Sequence, residues 1–314
     1  IDESGKSAQV LIFPYYTVNN NFVTSFNIRN VKNEFKAVKF RFHESKYSND
    51  VLDFEGYLSP YDHISFSLSK DSNGRTHLYT QDKSCTNPAI PTEGVAFKSN
   101  FYTHSNDKDA WEGYLEVIEM GVLVDGKPTG ANVTLYEGVK HVQTGPNTFA
   151  PKDCSVIATA WKTGYFTQGG ALADTDNFNV PGKVQQGFYS DESATNPTPG
   201  IPDNITAPTG GLRGLLILLD VAKGAINAVE ATAIRNYQKD YAQHYKSDDP
   251  AFQFLPSFAS GNDFTSVVPR DDGRGSITNT WSPVKAEWLI SDPFIAPNYG
   301  VKSGNNPFHL ADVL

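Results

Sequence analysis

VLIFPYYTV, residues 10–18, is an unbroken apolar and aromatic run set behind a polar leader, IDESGKSAQ, residues 1–9. A run of this length and composition reads as a strand buried on both faces. Pro14 lies in its middle, and proline cannot donate to a ladder, which confines such a strand to an edge, a bulge or short pairings on each side. The leader, with Asp2, Glu3, Gly5 and Lys6, orders only against a partner. The strand therefore poses the first functional question, which is whether it enters its own core or that of a neighbouring subunit.

The segments that follow supply a core for it. Phe22, Thr24, Phe26 and Ile28 alternate with Val23, Ser25, Asn27 and Arg29. Val38, Phe40 and Phe42 oppose Lys39, Arg41 and His43, and Ile64, Phe66 and Leu68 oppose Ser65, Ser67 and Ser69. With Leu52–Leu58 between them, these predict strands with one buried and one wet face, joined by short turns. That pattern belongs to an antiparallel β-sandwich of immunoglobulin-like or jelly-roll type. Asp71–Gly94 reads as a long loop and Trp111–Val124 as a long strand or a pair. Ala131–Tyr136 is ambiguous, Val156–Trp161 returns to the sheet, and Gly214–Val221 is a buried strand. Ile226, Val229, Ala233, Tyr237, Tyr241 and Tyr245 fall at three- and four-residue spacing and predict one amphipathic helix. The resulting organisation is a leader and candidate donor strand over 1–18, a sandwich core over 19–162, a long loop region over 163–210, and a strand-helix-strand portion over 211–314 that completes or extends the same domain.

Composition agrees with a β-rich class: 20 Phe and 15 Tyr against one Met, with 25 Gly and 19 Pro for turns. A formal net charge of −9 argues against nucleic acid, which calls for a basic face. No window approaches the roughly 18–20 apolar residues of a membrane helix, so no membrane insertion is expected. The sequence begins at Ile1 with no initiator Met and no signal peptide, which fits a mature product or a truncated piece. Cys85 and Cys154 are the only cysteines, and both lie in turn-like contexts. Either a bridge or two unpaired thiols fits the residues. A bridge would contribute about 4 kcal/mol by the chain-entropy argument and would place the protein outside the cytoplasm.

Four blocks look alike to one family when taken together: LIFPYYTVNN (11–20), KAVKFRFHESKYSNDVLDFEGYLSPYD (36–62), WEGYLEVIEMG (111–121) and PTGGLRGLLILLDVAKG (208–224). They resemble a family of predicted secreted or cell-surface β-proteins of Gram-negative bacteria to which no activity is assigned. The resemblance implies an exported bacterial β-protein with Cys85 and Cys154 paired. It transfers no catalytic residue.

Candidate chemistry is sparse. Glu112 and Glu116 share a strand face but stand about 13 Å apart at roughly 3.3 Å per residue, outside the roughly 5–9.5 Å used by glycosidases, and Glu119 faces the other way. Asp174, Asp176, Asn177 and Asn179 cluster oxygen ligands as calcium loops do, but lack the glycine and twelfth-position acid of that pattern, so an Asx-rich turn is the reading and calcium the alternative. The seven histidines show no zinc spacing, and no nucleophile elbow appears. Neither a cofactor nor a catalytic set is expected. The sequence thus predicts a non-enzymatic extracellular protein of the bacterial cell surface, a filament subunit whose interface strand, Val10, Leu11, Ile12, Phe13, Tyr15, Tyr16 and Val18, is donated head-to-tail to a neighbour. The alternative is a monomeric adhesin or carbohydrate-binding module using the Thr163–Gly211 loop and exposed aromatics to hold a glycan or surface ligand.

Overall fold

Period-two segments cannot bury their apolar faces singly, and here they do so by pairing into two sheets laid face to face. A computed structural model describes residues 7–99, 106–163, 165–166, 204–237, 242–244 and 256, and the backbones of 265–269 and 276–280. In chain order the strands are β1 (Val10–Thr17), β2 (Phe22–Asn30), β3 (Lys36–Glu44), β4 (Asp50–Leu58), β5 (His63–Lys70), β6 (Thr76–Tyr79), β7 (Cys85–Asn87), β8 (Val95–Ala96), β9 (Glu112–Leu123), β10 (His141–Gly145), β11 (Thr148–Pro151), β12 (Ile205–Thr206), β13 (Leu212–Asp220), β14 (Ala225–Glu230), β15 (Thr232–Ile234), β16 (Thr265–Pro269) and β17 (Ser276–Thr280). Two short helices are described, α1 (Leu135–Val139) and α2 (Ser155–Lys162).

A seven-stranded sheet runs in the order β15-β1-β9-β3-β4-β7, with β12 also on β9, and a six-stranded sheet runs β14-β13-β2-β5-β6-β8. Every pairing within both sheets is antiparallel. The predicted inward residues meet between the sheets: Phe26, Ile28, Val38, Phe40, Phe42, Ile64, Phe66 and Leu68 form one core with Leu11, Phe13 and Tyr16 of β1. Its rings prefer edge contacts, as their quadrupoles favour: Phe13 meets Phe26 at 5.2 Å and Phe26 meets Phe42 at 5.7 Å.

Pro14 acts as expected. β1 pairs with β9 from Val10 to Phe13, loses register, and resumes at Tyr16. On its other side it meets β15 only over Val10–Ile12.

Three expectations about secondary structure need correction, and one open segment is decided. The helix expected from Ile226 is absent over its described part, which forms β14 and β15 instead. Gly224 at φ 63° closes a turn after Asp220, and β14 folds back along β13 with Leu219 opposite Ile226. Pairing with a strongly apolar neighbour overrides the helix propensity of an Ala- and Glu-containing segment. Val156–Trp161 is helical, not a returning strand, because Asp153 accepts hydrogen bonds from the Ser155 amide and hydroxyl at its start and Val156, Ile157, Ala160 and Trp161 form a buried stripe. The end of Ala131–Tyr136 opens α1 through a capping box between Thr134 and Glu137. The Asp71–Gly94 loop contains β6, which lies between β5 and β8, and β7, an edge of the seven-stranded sheet. β13 pairs with β2 over its full length, so this part of the 211–314 portion lies in the same sandwich as the core strands.

Candidate functional site

Three features could carry function: the seat of β1, the outer face of the seven-stranded sheet, and the layer over it. In this chain β1 lies in its own sheet. Val10, Leu11, Ile12, Phe13, Tyr16 and Val18 are 0 to 1% exposed. Leu11, Phe13 and Tyr16 enter the inter-sheet core, while Val10 and Ile12 join Ile118, Ile234 and Tyr237 on the outer side. Tyr15 departs from the group. It is 42% exposed, and its hydroxyl donates to Glu112 at 2.7 Å. Val18 closes the strand by donating its amide to the Trp111 carbonyl at 2.8 Å. The Asn19–Asn21 turn that follows places Asn20 at φ 50° and Asn21 at φ 63°, which asparagine tolerates better than most residues.

The outer face of the seven-stranded sheet overturns the wet-face expectation. Lys39, Arg41, His43, Glu55 and Glu116 are all buried. Cross-strand register shows why charge is tolerated there. Glu116 of β9, Arg41 of β3 and Asp53 of β4 lie in one row, and Lys39 opposes Glu55 in the next. Opposite signs alternate across strands, as buried charges require.

Arg41 bonds Asp50 through Nη2, and its Nε donates to the same oxygen at 3.1 Å. Its Nη1 reaches Glu116 at 3.3 Å. His43 lies 3.6 Å from Glu116, stacks on Tyr114 with centroids 4.5 Å apart, and contacts the Ser48 carbonyl through Nδ1 at 3.2 Å. Burial opposes the imidazolium, yet Asp50 and Glu116 outweigh it and raise the His43 pKa to about 9. Burial and the adjacent Asp50 charge push the Asp53 carboxyl well above its ordinary value, whereas Arg41 and His43 hold Asp50 below its own against burial. The Arg41 guanidinium is thus shared between Asp50 and Glu116, with Asp53 3.6 Å from its Nε.

Two neighbouring groups tie distant chain segments to this sheet. Glu119 accepts from Lys36 Nζ at 2.6 Å and from the backbone amides of Thr209 and Gly210, at 3.1 Å and 2.6 Å. That contact fixes the approach to β13. Above Tyr57, the Trp161 indole donates to the Tyr57 hydroxyl at 2.9 Å, and His244 Nε2 lies 3.1 Å from the same oxygen. His244 also stacks on Trp161 at 4.4 Å. Burial, aided by the Lys39 charge, lowers its pKa to about 3, so it is neutral. Cys85 and Cys154 form a disulfide, which joins β7 to the start of α2.

Of the carboxylates considered from sequence, Glu116 is committed to the charge row and Glu119 to the Lys36 contact, so neither is an open acid. Asp174, Asp176, Asn177 and Asn179 lie outside the described residues, as does most of the Thr163–Gly211 loop. Among the described residues no group of three His, Cys, Asp or Glu side chains is placed to hold a metal ion, and no helix is long and apolar enough to cross a membrane. No protein-family model, curated protein or solved structure matches the chain. The charge row itself had a legible signal. In an antiparallel hairpin with Phe40 opposite Phe54, Lys39 meets Glu55 and Arg41 meets Asp53, a mirror of opposite charges about the turn.

Proposed function

We propose that the protein is a non-enzymatic structural subunit of the bacterial exterior, joined to its neighbours by exchange of β1. One observation carries the reading. Val10, Leu11, Ile12, Phe13, Tyr16 and Val18 are 0 to 1% exposed, and the short Asn19–Asn21 turn joins this strand to β2. A neighbour's β1 entering the same lane beside β9 reproduces every contact the chain's own strand makes, so exchange loses little but the entropy of association. The buried charges support the reading from another side, since Arg41, His43, Glu116 and Glu119 are spent on internal pairs.

The test combines a truncation with a lock. Protein lacking residues 1–18 should fail to polymerise and should bind a synthetic peptide of residues 7–18. Should the truncated chain not fold, the intact chain carrying Leu11→Cys and Val117→Cys, which are register partners, ties β1 to its own β9 on oxidation. Filaments formed by the oxidised, locked chain, seen by negative-stain microscopy, would sink the proposal.

A further inference from the structure

The edge of the six-stranded sheet ends on β14, and this strand lacks the usual defences of a sheet edge. All six of its residues, Ala225–Glu230, are exposed. Among the described residues it pairs only with β13. Edges are ordinarily blunted by lysine, proline, a bulge or a covering loop, because unpaired amides and carbonyls template further strands. Here Ala225-Ile226-Asn227-Ala228-Val229 carries no charge and no proline, and its register with β13 is unbroken. Ile226 is 68% exposed and Val229 41%. They point to opposite faces, so the strand is apolar and open above, below and along its edge.

We propose that the β14 edge is the contact surface for a second copy of this chain, paired antiparallel, β14 to β14, across a two-fold axis. Three observations select that occupant. First, the chain carries a net charge of −9, so two copies repel except where their surfaces are neutral. The one charge on β14, Glu230, is held by Arg213 across the hairpin at 2.8 Å. Second, the strand is self-complementary. With Asn227 on the axis, Ile226 faces Ala228, Ala225 faces Val229, and Glu230 faces Gly224, which keeps the two glutamates apart. Third, exposed or half-buried Leu215, Ile217 and Leu219 share the outer sheet face with Ile226 and Ala228, so the paired sheets would carry one apolar strip across the axis. Exposure of Asn227 and Val229 on the inner side leaves room there for the partner strand.

This contact does not rest on β1 exchange. It uses the opposite sheet, it closes on itself, and it forms without unfolding. A single strand pair is a small interface, so the affinity should be weak, on the order of 100 µM.

Sedimentation velocity on the full chain tests it. The wild type should show reversible, concentration-dependent dimerisation that disappears on dilution, whereas strand-exchanged oligomers would persist. Asn227→Lys and Asn227→Asp each set like charges face to face on the axis and should be monomeric. Their equimolar mixture should dimerise at least as well as the wild type. Val229→Lys should also be monomeric with an unchanged melting temperature. A wild type that stays monomeric to about 1 mM, where such weak contacts are populated, overturns the proposal. So does an Asn227→Lys protein that dimerises like the wild type, or a mixture that associates no better than its components.

Discussion

His43 and His244 are both buried, and their surroundings drive them in opposite directions. For His43 the folded pKa of about 9 lies above the ordinary 6.5, so its contribution is fully present below pH 6.5 and is lost as pH rises through 9. Its size is roughly 3 kcal/mol. For His244 the folded pKa of about 3 lies below 6.5. The unfolded chain then takes up a proton that the folded chain refuses, and stability falls as pH drops from 6.5 towards 3. Chemical denaturation across this range should show stability declining on both sides. His43→Gln should flatten the alkaline side between pH 6.5 and 9, and His244→Phe, which keeps a ring against Trp161, should flatten the acid side. Identical slopes in wild type and His43→Gln would show that His43 is not charged in the fold. Glu119→Gln belongs to the same scale. It leaves the buried Lys36 ammonium with Glu34, at 2.9 Å, as its remaining carboxylate, and the expected cost is about 1.5–3 kcal/mol, that of a hydrogen bond to a charged group. None of these pairings could be read from single residues. Lys39, Arg41 and His43 look like solvent-facing positions because partners they meet across the sheet stand elsewhere in the chain, Glu116 being 75 positions after Arg41.

At the scale of elements, β1 and β9 meet closely where Pro14 has broken the register. Gly113 sits opposite Tyr16 there, and a methyl group built on it would stand 1.9 Å from the His43 carbonyl oxygen and 2.8 Å from the Tyr16 ring. Backbone on the adjacent strand cannot swing aside as a side chain can. Gly113→Ala should therefore destabilise the fold by about 3 kcal/mol, read as a fall in denaturation midpoint. An unchanged midpoint would mean that β9 and β3 separate easily at this end. The strands from β2 to β5 were legible because each alternates and each meets another of the four, β2 with β5 and β3 with β4, while β1 was legible as an unbroken apolar run. β14 was not. Its three- and four-residue spacing of Ile226, Val229 and Ala233 fits a helix, and only the apolar length of β13 beside it, together with the turn at Gly224, selects the hairpin. α2 was misread for the opposite reason: Val156 and Ile157 suggest a strand, while the bonds of Ser155 to the Asp153 carboxylate and the alanines decide for a helix.

For the whole molecule, the antiparallel sandwich class was legible from alternation and aromatic content, whereas the third layer was not. α1 and α2 with Phe166, Ile205 and Ala242 pack on Phe35, Ala37, Tyr57, Met120 and Leu123 to form a second apolar cluster on the outside of the seven-stranded sheet. The Cys85–Cys154 disulfide spans a sequence separation of 69 and fastens that layer to the β7 edge. Between its ends lie β9, the middle strand of the sheet, and α1, so reduction frees a loop that includes central structure. The chain-entropy argument gives about 4 kcal/mol for a loop of this length. Replacing both cysteines by serine should lower unfolding stability by that amount and steepen the dependence on denaturant, since the unfolded chain without the bridge is more open and exposes more surface. The helical layer should loosen before the sandwich, because it is otherwise held to the sheet by the apolar cluster and a few hydrogen bonds, those of Trp161 to Tyr57 and of Tyr136 to the Leu123 carbonyl among them. Hydrogen exchange on the variant distinguishes the cases. Faster exchange confined to α1 and α2 places the disulfide's role in the outer layer, and uniform acceleration through β3 and β9 shows that sandwich and layer unfold as one unit.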